Sequence, residues 1–164
     1  MTLTPIAAPS PNFNDRKLPV SLIVLHYTGM ENGAVALERM CDPAAEVSAH
    51  YMVEEDGRVF QLVDEDKRAW HAGVSVWRGE TDINSASIGV EIVNGGHDYG
   101  LPEFPAIQIA AVIELLKDVM GRHGIGPEGV IGHSDIAPGR KQDPGEKFPW
   151  GRLAAAGCAL VVRA

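Results

Sequence analysis

The sequence is short of cysteine, of basic charge and of long apolar runs, and each shortage removes a class of protein. Two cysteines, Cys41 and Cys158, in 164 residues cannot build the disulfide framework of a small secreted domain. One bridge between them stays open, with free, buried thiols the expectation. Fourteen Lys and Arg stand against 22 Asp and Glu, for a formal net charge of −8. Phosphate binding needs clustered cations, so neither nucleic acid nor an anionic membrane surface is the expected partner. No apolar run approaches the ~20 residues of a membrane span. The first residues, MTLTPIAAPSPNFNDRK, lack a basic stretch followed by an apolar one. A Sec signal is therefore not expected and a cytoplasmic location is, with the periplasm by another route as the alternative. Missing too are GxxxxGK[ST] and GxSxG, which disfavours P-loop nucleotide chemistry and a nucleophile elbow. Ser134 sits between His133 and Asp135, but consecutive residues of an extended chain project to opposite sides and cannot form a hydrogen-bonded triad.

What is present fits one globular domain: 45% apolar and 22% charged residues, at a length that buries roughly two-thirds of the unfolded surface. Residues 1–18, with three Pro and two Asn, predict an extended arm without helix or strand, and residues 19–164 the domain itself. The run SLIVL ending at His26 reads as a central strand buried on both faces. Gly33–Met40 has helical spacing and stops at Asp42-Pro43. Val47–Val53 and Arg58–Val63 flank EEDG as a β-hairpin turning at Asp56-Gly57. Ser87–Val93 is a further strand. Ala106–His123 predicts a helix with Ile107, Ile109, Ala110, Ile113, Leu116, Val119 and Met120 on one face and Gly121 and Gly124 at its end. GVIGH gives a brief strand, and 152–162 a short helix. Strands and helices intermingle without a strict βαβ repeat. The expected class is α/β, one mixed central sheet with helices on both faces.

The segment GHSDIAPGRKQDPGEKFPW, Gly132 to Trp150, concentrates reactive side chains in an irregular Gly- and Pro-rich loop. It holds His133, Lys141 and Asp143, while His26 waits at the end of a buried strand. Two His and one Asp leave a fourth position open, which is how catalytic zinc is held, so that bound water ionises near neutral pH. A solvated loop with a hydrogen-bonded His is the plainer alternative. Glu91 interrupts the apolar strand SIGVEIV, and a carboxylate buried there needs a compensating partner or must face outward. Facing a metal site, it could take a proton from water and pass it to a leaving amine. Lys141 could stabilise an oxyanion, or be a surface lysine. His97, in a Gly-rich turn, and His123, at a helix end, fit solvated or dipole-pairing roles better than ligation, and His50 is ambiguous.

In order, SPNFNDR, LIVLHYTGM, VSAHYMVEEDGRVFQLVDEDKRAWHAG, NSASIGVEIVN and GHSDIAPGRKQDPG resemble the zinc-dependent N-acetylmuramoyl-L-alanine amidases of the type 2 family. Peptidoglycan recognition proteins and phage amidases share their fold. The resemblance runs from about Ser10 to Trp150. It implies a zinc ion held by His26, His133 and Asp143 in a groove of residues 19–164, with Glu91 as acid/base and Lys141 stabilising the tetrahedral intermediate. It further implies substrate contacts near Tyr27, Trp70, His71, Asn94 and Arg140, although Trp70 can equally be a core aromatic. Phage members and catalytic recognition proteins carry Cys where this chain has Asp143, and Tyr where it has Ala49. Bacterial recycling-type and lipoprotein-type amidases carry the Asp. The implied substrate is a muropeptide, in 1,6-anhydro form, or polymeric peptidoglycan. A noncatalytic peptidoglycan sensor is the alternative, disfavoured because such proteins lose a zinc ligand.

Overall fold

The computed structural model describes residues 3–160. In chain order its elements are β1 (Ile6–Ala7), β2 (Phe13–Asp15), β3 (Leu22–Tyr27), α1 (Gly33–Met40), β4 (Tyr51–Val53), β5 (Val59–Gln61), β6 (Lys67–Ala69), α2 (Ile83–Ala86), β7 (Ser87–Ile92), α3 (Ala106–His123), β8 (Val130–Gly132), α4 (His133–Ile136) and α5 (Trp150–Ala155). The main sheet runs β1-β5-β4-β7-β3-β8. β4, β7, β3 and β8 are mutually parallel and β5 is antiparallel to β4, so the sheet is mixed.

Period-two alternation assigns each strand residue a face. From β3 and β7, Ile23, Leu25, Ile88, Val90 and Ile92 pack with Ile109, Val112, Leu115, Leu116 and Val119 of α3 and Leu153 of α5. On the other face Val24 packs with Ile83 of α2 and Ile136 of α4, and Met52 with Ala36 and Met40 of α1. Helices therefore cover both faces, as expected. The second face also receives His26 and Glu91, which are register partners on adjacent parallel strands. Each sits near its strand's carboxyl end, where open α/β sheets bind ligands.

Several expectations need correction. The arm at 1–18 is extended but carries two strands: β1 pairs in parallel with β5, and β2 antiparallel with β6. Their prolines lie outside the paired residues, so the ladder loses no donor there. Regular hairpin pairing is confined to Tyr51–Val53 with Val59–Gln61; upstream, the Ser48 N–H donates to Trp70 O instead. Gly57 holds the turn at φ +92°, which glycine adopts without strain. On α3, Ile107 is 61% exposed, and Gln108 is the buried residue. Its amide donates to Val53 O and Val93 O, because the first turn overlies strand-end carbonyls that need a donor. The C-terminal helix covers Trp150–Ala155; residues 161 and 162 of the expected 152–162 lie outside the described residues. Both thiols are free, Cys158 buried and Cys41 only half-buried.

Away from the groove, Glu65 accepts hydrogen bonds from Arg122, His123 and the Tyr51 hydroxyl. Burial works against its charge, yet these donors outweigh it and hold the carboxyl at about 2. A depressed folded-state value means the stabilisation is whole above the unfolded value of ~4.3 and is lost as pH falls toward 2. Glu65→Gln should therefore cost about 2–3 kcal/mol at pH 7, with the difference closing between about pH 4.5 and 2. Unfolding of both proteins across that range checks this, and a pH-independent difference would contradict it.

Candidate metal centre

Three elements deliver the central atoms. β3 brings His26, the start of α4 brings His133, and the Ser134 N–H donates to Asp143 O at 2.9 Å, folding the loop so that Asp143 returns beside His133. His26 Nδ1 lies 3.0 Å from His133 Nδ1 and 3.0 Å from Asp143 Oδ2; His133 Nδ1 is 3.2 Å from the same oxygen. All three residues are buried. A tetrahedral zinc with ~2.0–2.1 Å bonds spaces neighbouring ligand atoms by about 3.3 Å, close to this triangle. His133 Nε2 lies 2.9 Å from Ala72 O; a carbonyl only accepts, so that nitrogen holds the proton and Nδ1 presents a lone pair inward. Lone pairs converging beside a carboxylate repel unless a cation joins them. The site therefore fits a divalent metal ion by spacing and by donor chemistry.

Glu91 lies beside this triangle on the groove wall. The residue is partly exposed, yet Oε2 is enclosed and has no hydrogen-bond partner among the described residues. Burial, and then the charge of Asp143, push its carboxyl well above the ordinary range, with Lys141 opposing. Asp143 goes the other way: burial disfavours its charge, but hydrogen bonds with His133 and His26 more than offset that and hold it low. Adjacent carboxyls driven apart in this manner take different roles. Lys141 also lines the groove, and its ammonium has no hydrogen bond or ion pair among the described residues.

The remaining sequence candidates are placed less uniformly. Tyr27, His71 and Arg140 line the groove, whereas Trp70 and Asn94 do not. Asn94 is buried; it donates to Pro102 O and accepts from the Gly96 N–H, holding its own loop. The Trp70 indole reaches Asn14 Oδ1. Arg140 donates to Ala72 O and Val74 O, clamping the segment whose carbonyl orients His133. His97 gives a further groove contact, since its Nδ1 is 2.8 Å from the Tyr27 hydroxyl and its Nε2 2.6 Å from Glu146. Seventy positions separate it from Tyr27 and no local pattern marks it. His50 is structural: Nδ1 accepts from the Gly89 N–H, Nε2 lies 2.8 Å from Lys67 O, and burial lowers its pKa to about 3.

Comparison with known proteins agrees with this geometry. The family model described as N-acetylmuramoyl-L-alanine amidase matches residues 16–146, a span that contains every residue of the triangle together with Glu91 and Lys141. N-acetylmuramoyl-L-alanine amidase AmiD of Escherichia coli strain K12 is 43% identical over 151 residues, covering 84% of this chain and 53% of AmiD. The chain thus spans about half the length of such curated relatives. Among solved structures, a selenomethionine derivative of AmpD superposes with a TM-score of 0.82 at 32% identity, over 93% of each chain. E. coli AmiD in complex with anhydro-N-acetylmuramic acid-L-Ala-D-gamma-Glu-L-Lys superposes with a TM-score of 0.80 at 41% identity, over 85% of this chain and 58% of that one. With the match running through the His26, His133 and Asp143 triangle, the chain belongs to the N-acetylmuramoyl-L-alanine amidase family.

Proposed function

We propose that this chain is a zinc amidase that hydrolyses the amide between the lactyl group of N-acetylmuramic acid, in its 1,6-anhydro form, and L-Ala of the stem peptide. The observation that carries the reading is the convergence of His26, His133 and Asp143 beside an unpartnered Glu91 on one groove wall. The ligand class is drawn from the AmiD complex with an anhydromuropeptide. A zinc ion held by these three residues supplies Lewis acidity toward a carbonyl oxygen and toward water.

The chain's own residues do the rest. Glu91 accepts the proton of the attacking water as its oxygen bonds to the lactyl carbonyl carbon. It then delivers that proton to the L-Ala nitrogen as the C–N bond breaks, so one carboxyl serves as base and then acid. Lys141, a cation lining the same groove, steadies the oxyanion between the two steps. The resemblance implies that Ala49 stands where Cys-bearing relatives use Tyr, so that Glu91 takes the acid/base role.

A net charge of −8 favours small soluble muropeptides over extended anionic wall. Incubating the zinc-loaded protein in parallel with a purified 1,6-anhydro-muropeptide and with intact sacculi, and following free stem peptide by mass spectrometry, tests the assignment. Chelator-sensitive release from the soluble substrate alone is expected. Release from sacculi would move the reading to wall remodelling, and tight binding without release from either would replace it with a binding module.

A further inference from the structure

The imidazole of His26 can ligate a metal through Nδ1 only if its proton sits on Nε2, and the structure contains a chain of hydrogen bonds that decides this. The chain begins at a backbone carbonyl, Ile83 O, which can only accept. Ser87 Oγ lies 2.6 Å from it and so commits its single hydrogen there. His71 Nε2 lies 3.2 Å from Ser87 Oγ; with the hydroxyl hydrogen already spent, the ring nitrogen must be the donor. His71 Nδ1 is then left with a lone pair, and it faces His26 Nε2 at 2.9 Å. His26 Nε2 must therefore carry the proton, and His26 Nδ1 turns its lone pair toward His133 and Asp143.

Packing fixes the same ring. His71 and Ser87 are both buried, and His26 and His71 meet edge to face with centroids 5.0 Å apart. A Cβ on Gly89 would come within 2.5–2.7 Å of the His71 ring, so the glycine leaves the space that the imidazole fills. The neighbouring residue does the equivalent for the other imidazole, because Ala72 O accepts from His133 Nε2. Two consecutive residues of the segment AWHAG thus face the outer nitrogens of both imidazoles.

We propose that His71 is a positioning residue for the metal centre: as hydrogen-bond acceptor for His26 and donor to Ser87, it sets the His26 tautomer and ring orientation for zinc. The inference rests on the zinc reading above and goes beyond the ligand set. Outer-shell partners of ligating imidazoles tune metal affinity by about 10–100-fold. His71→Phe keeps the ring's bulk and loses both polar functions, whereas His71→Gln can still accept at one atom and donate at the next. Ser87→Ala removes the anchor and frees His71 to place its proton on Nδ1, where it can no longer accept from His26.

The test is the zinc dissociation constant of the full chain by competition with a chromophoric chelator, alongside the melting temperature of the metal-free protein. The account expects one zinc per wild-type chain and about 10–100-fold weaker binding for His71→Phe. It expects a several-fold loss for Ser87→Ala, substantial recovery in His71→Gln, and metal-free melting close to wild type throughout. A merely structural role would lower the metal-free melting temperature and would not be rescued by Gln. Wild-type affinity in His71→Phe, or equal losses in the Phe and Gln variants, would overturn the inference. If His71→Phe does not fold, Ser87→Ala and His71→Gln decide: wild-type affinity in the first, or a loss of tenfold or more in the second, would overturn it. Failure of the wild-type protein to bind one zinc would instead overturn the metal reading itself.

Discussion

Glu91→Ala should retain zinc and lose roughly 10²–10⁴-fold in turnover of an anhydromuropeptide, the range expected when a positioned acid/base is removed. Its melting temperature should stay level or rise. Among the described residues Oε2 of Glu91 is enclosed without a hydrogen-bond partner, an arrangement that costs stability. Replacing it relieves that cost while removing a carboxyl that lines the groove beside Asp143. Activity and stability should thus move in opposite directions, as expected where local strain serves function. Near wild-type turnover with retained zinc would take Glu91 out of the mechanism, and a large fall in melting temperature would mean that it holds the fold.

Asp143→Ala should have the second large effect, this time through the metal. The carboxylate is the one negative charge in the triangle, and its oxygen lies 3.0 and 3.2 Å from Nδ1 of His26 and of His133. Removing one partner of a buried charged set costs about 3–5 kcal/mol, on the order of 10²–10³-fold or more in zinc affinity. Turnover at limiting zinc should fall in parallel. In wild-type protein, excess zinc should raise the melting temperature through binding to the folded state, and that rise should vanish in Asp143→Ala. An undiminished rise in the variant would place the metal elsewhere. The two substitutions separate chemistry from metal retention: Glu91→Ala keeps the zinc-induced stabilisation and loses turnover, whereas Asp143→Ala loses both.

Much of this site could be read from the sequence because its residues break local patterns. His26 ends a run of apolar residues, Glu91 interrupts one, and both are conspicuous against the buried strands that carry them. Parallel pairing of β3 with β7 then makes them register partners. Asp143 and Lys141 stood out through a loop too rich in Gly and Pro to be anything but irregular. What stayed hidden depends on partners remote in sequence. The orienting role of His71 needs Ser87 and Ile83, sixteen and twelve positions away, brought under it by the turn from α2 into β7. His97 meets Tyr27 only through tertiary folding. The strands of the arm were masked by prolines that flank the paired residues, and the exposure of Ile107 by a helical face that the helix N-terminus does not bury.

The most direct single measurement is hydrolysis of anhydro-N-acetylmuramic acid tripeptide in ¹⁸O-labelled water, with metal-stripped protein before and after one equivalent of zinc, followed by mass spectrometry of both products. Zinc-restored cleavage placing one ¹⁸O in the lactyl carboxylate and none in the released peptide is the predicted result, because water adds to the lactyl carbon and the proton held by Glu91 leaves with the L-Ala nitrogen. Cleavage at another bond, ¹⁸O in the peptide, or no cleavage by protein carrying one zinc would contradict the account.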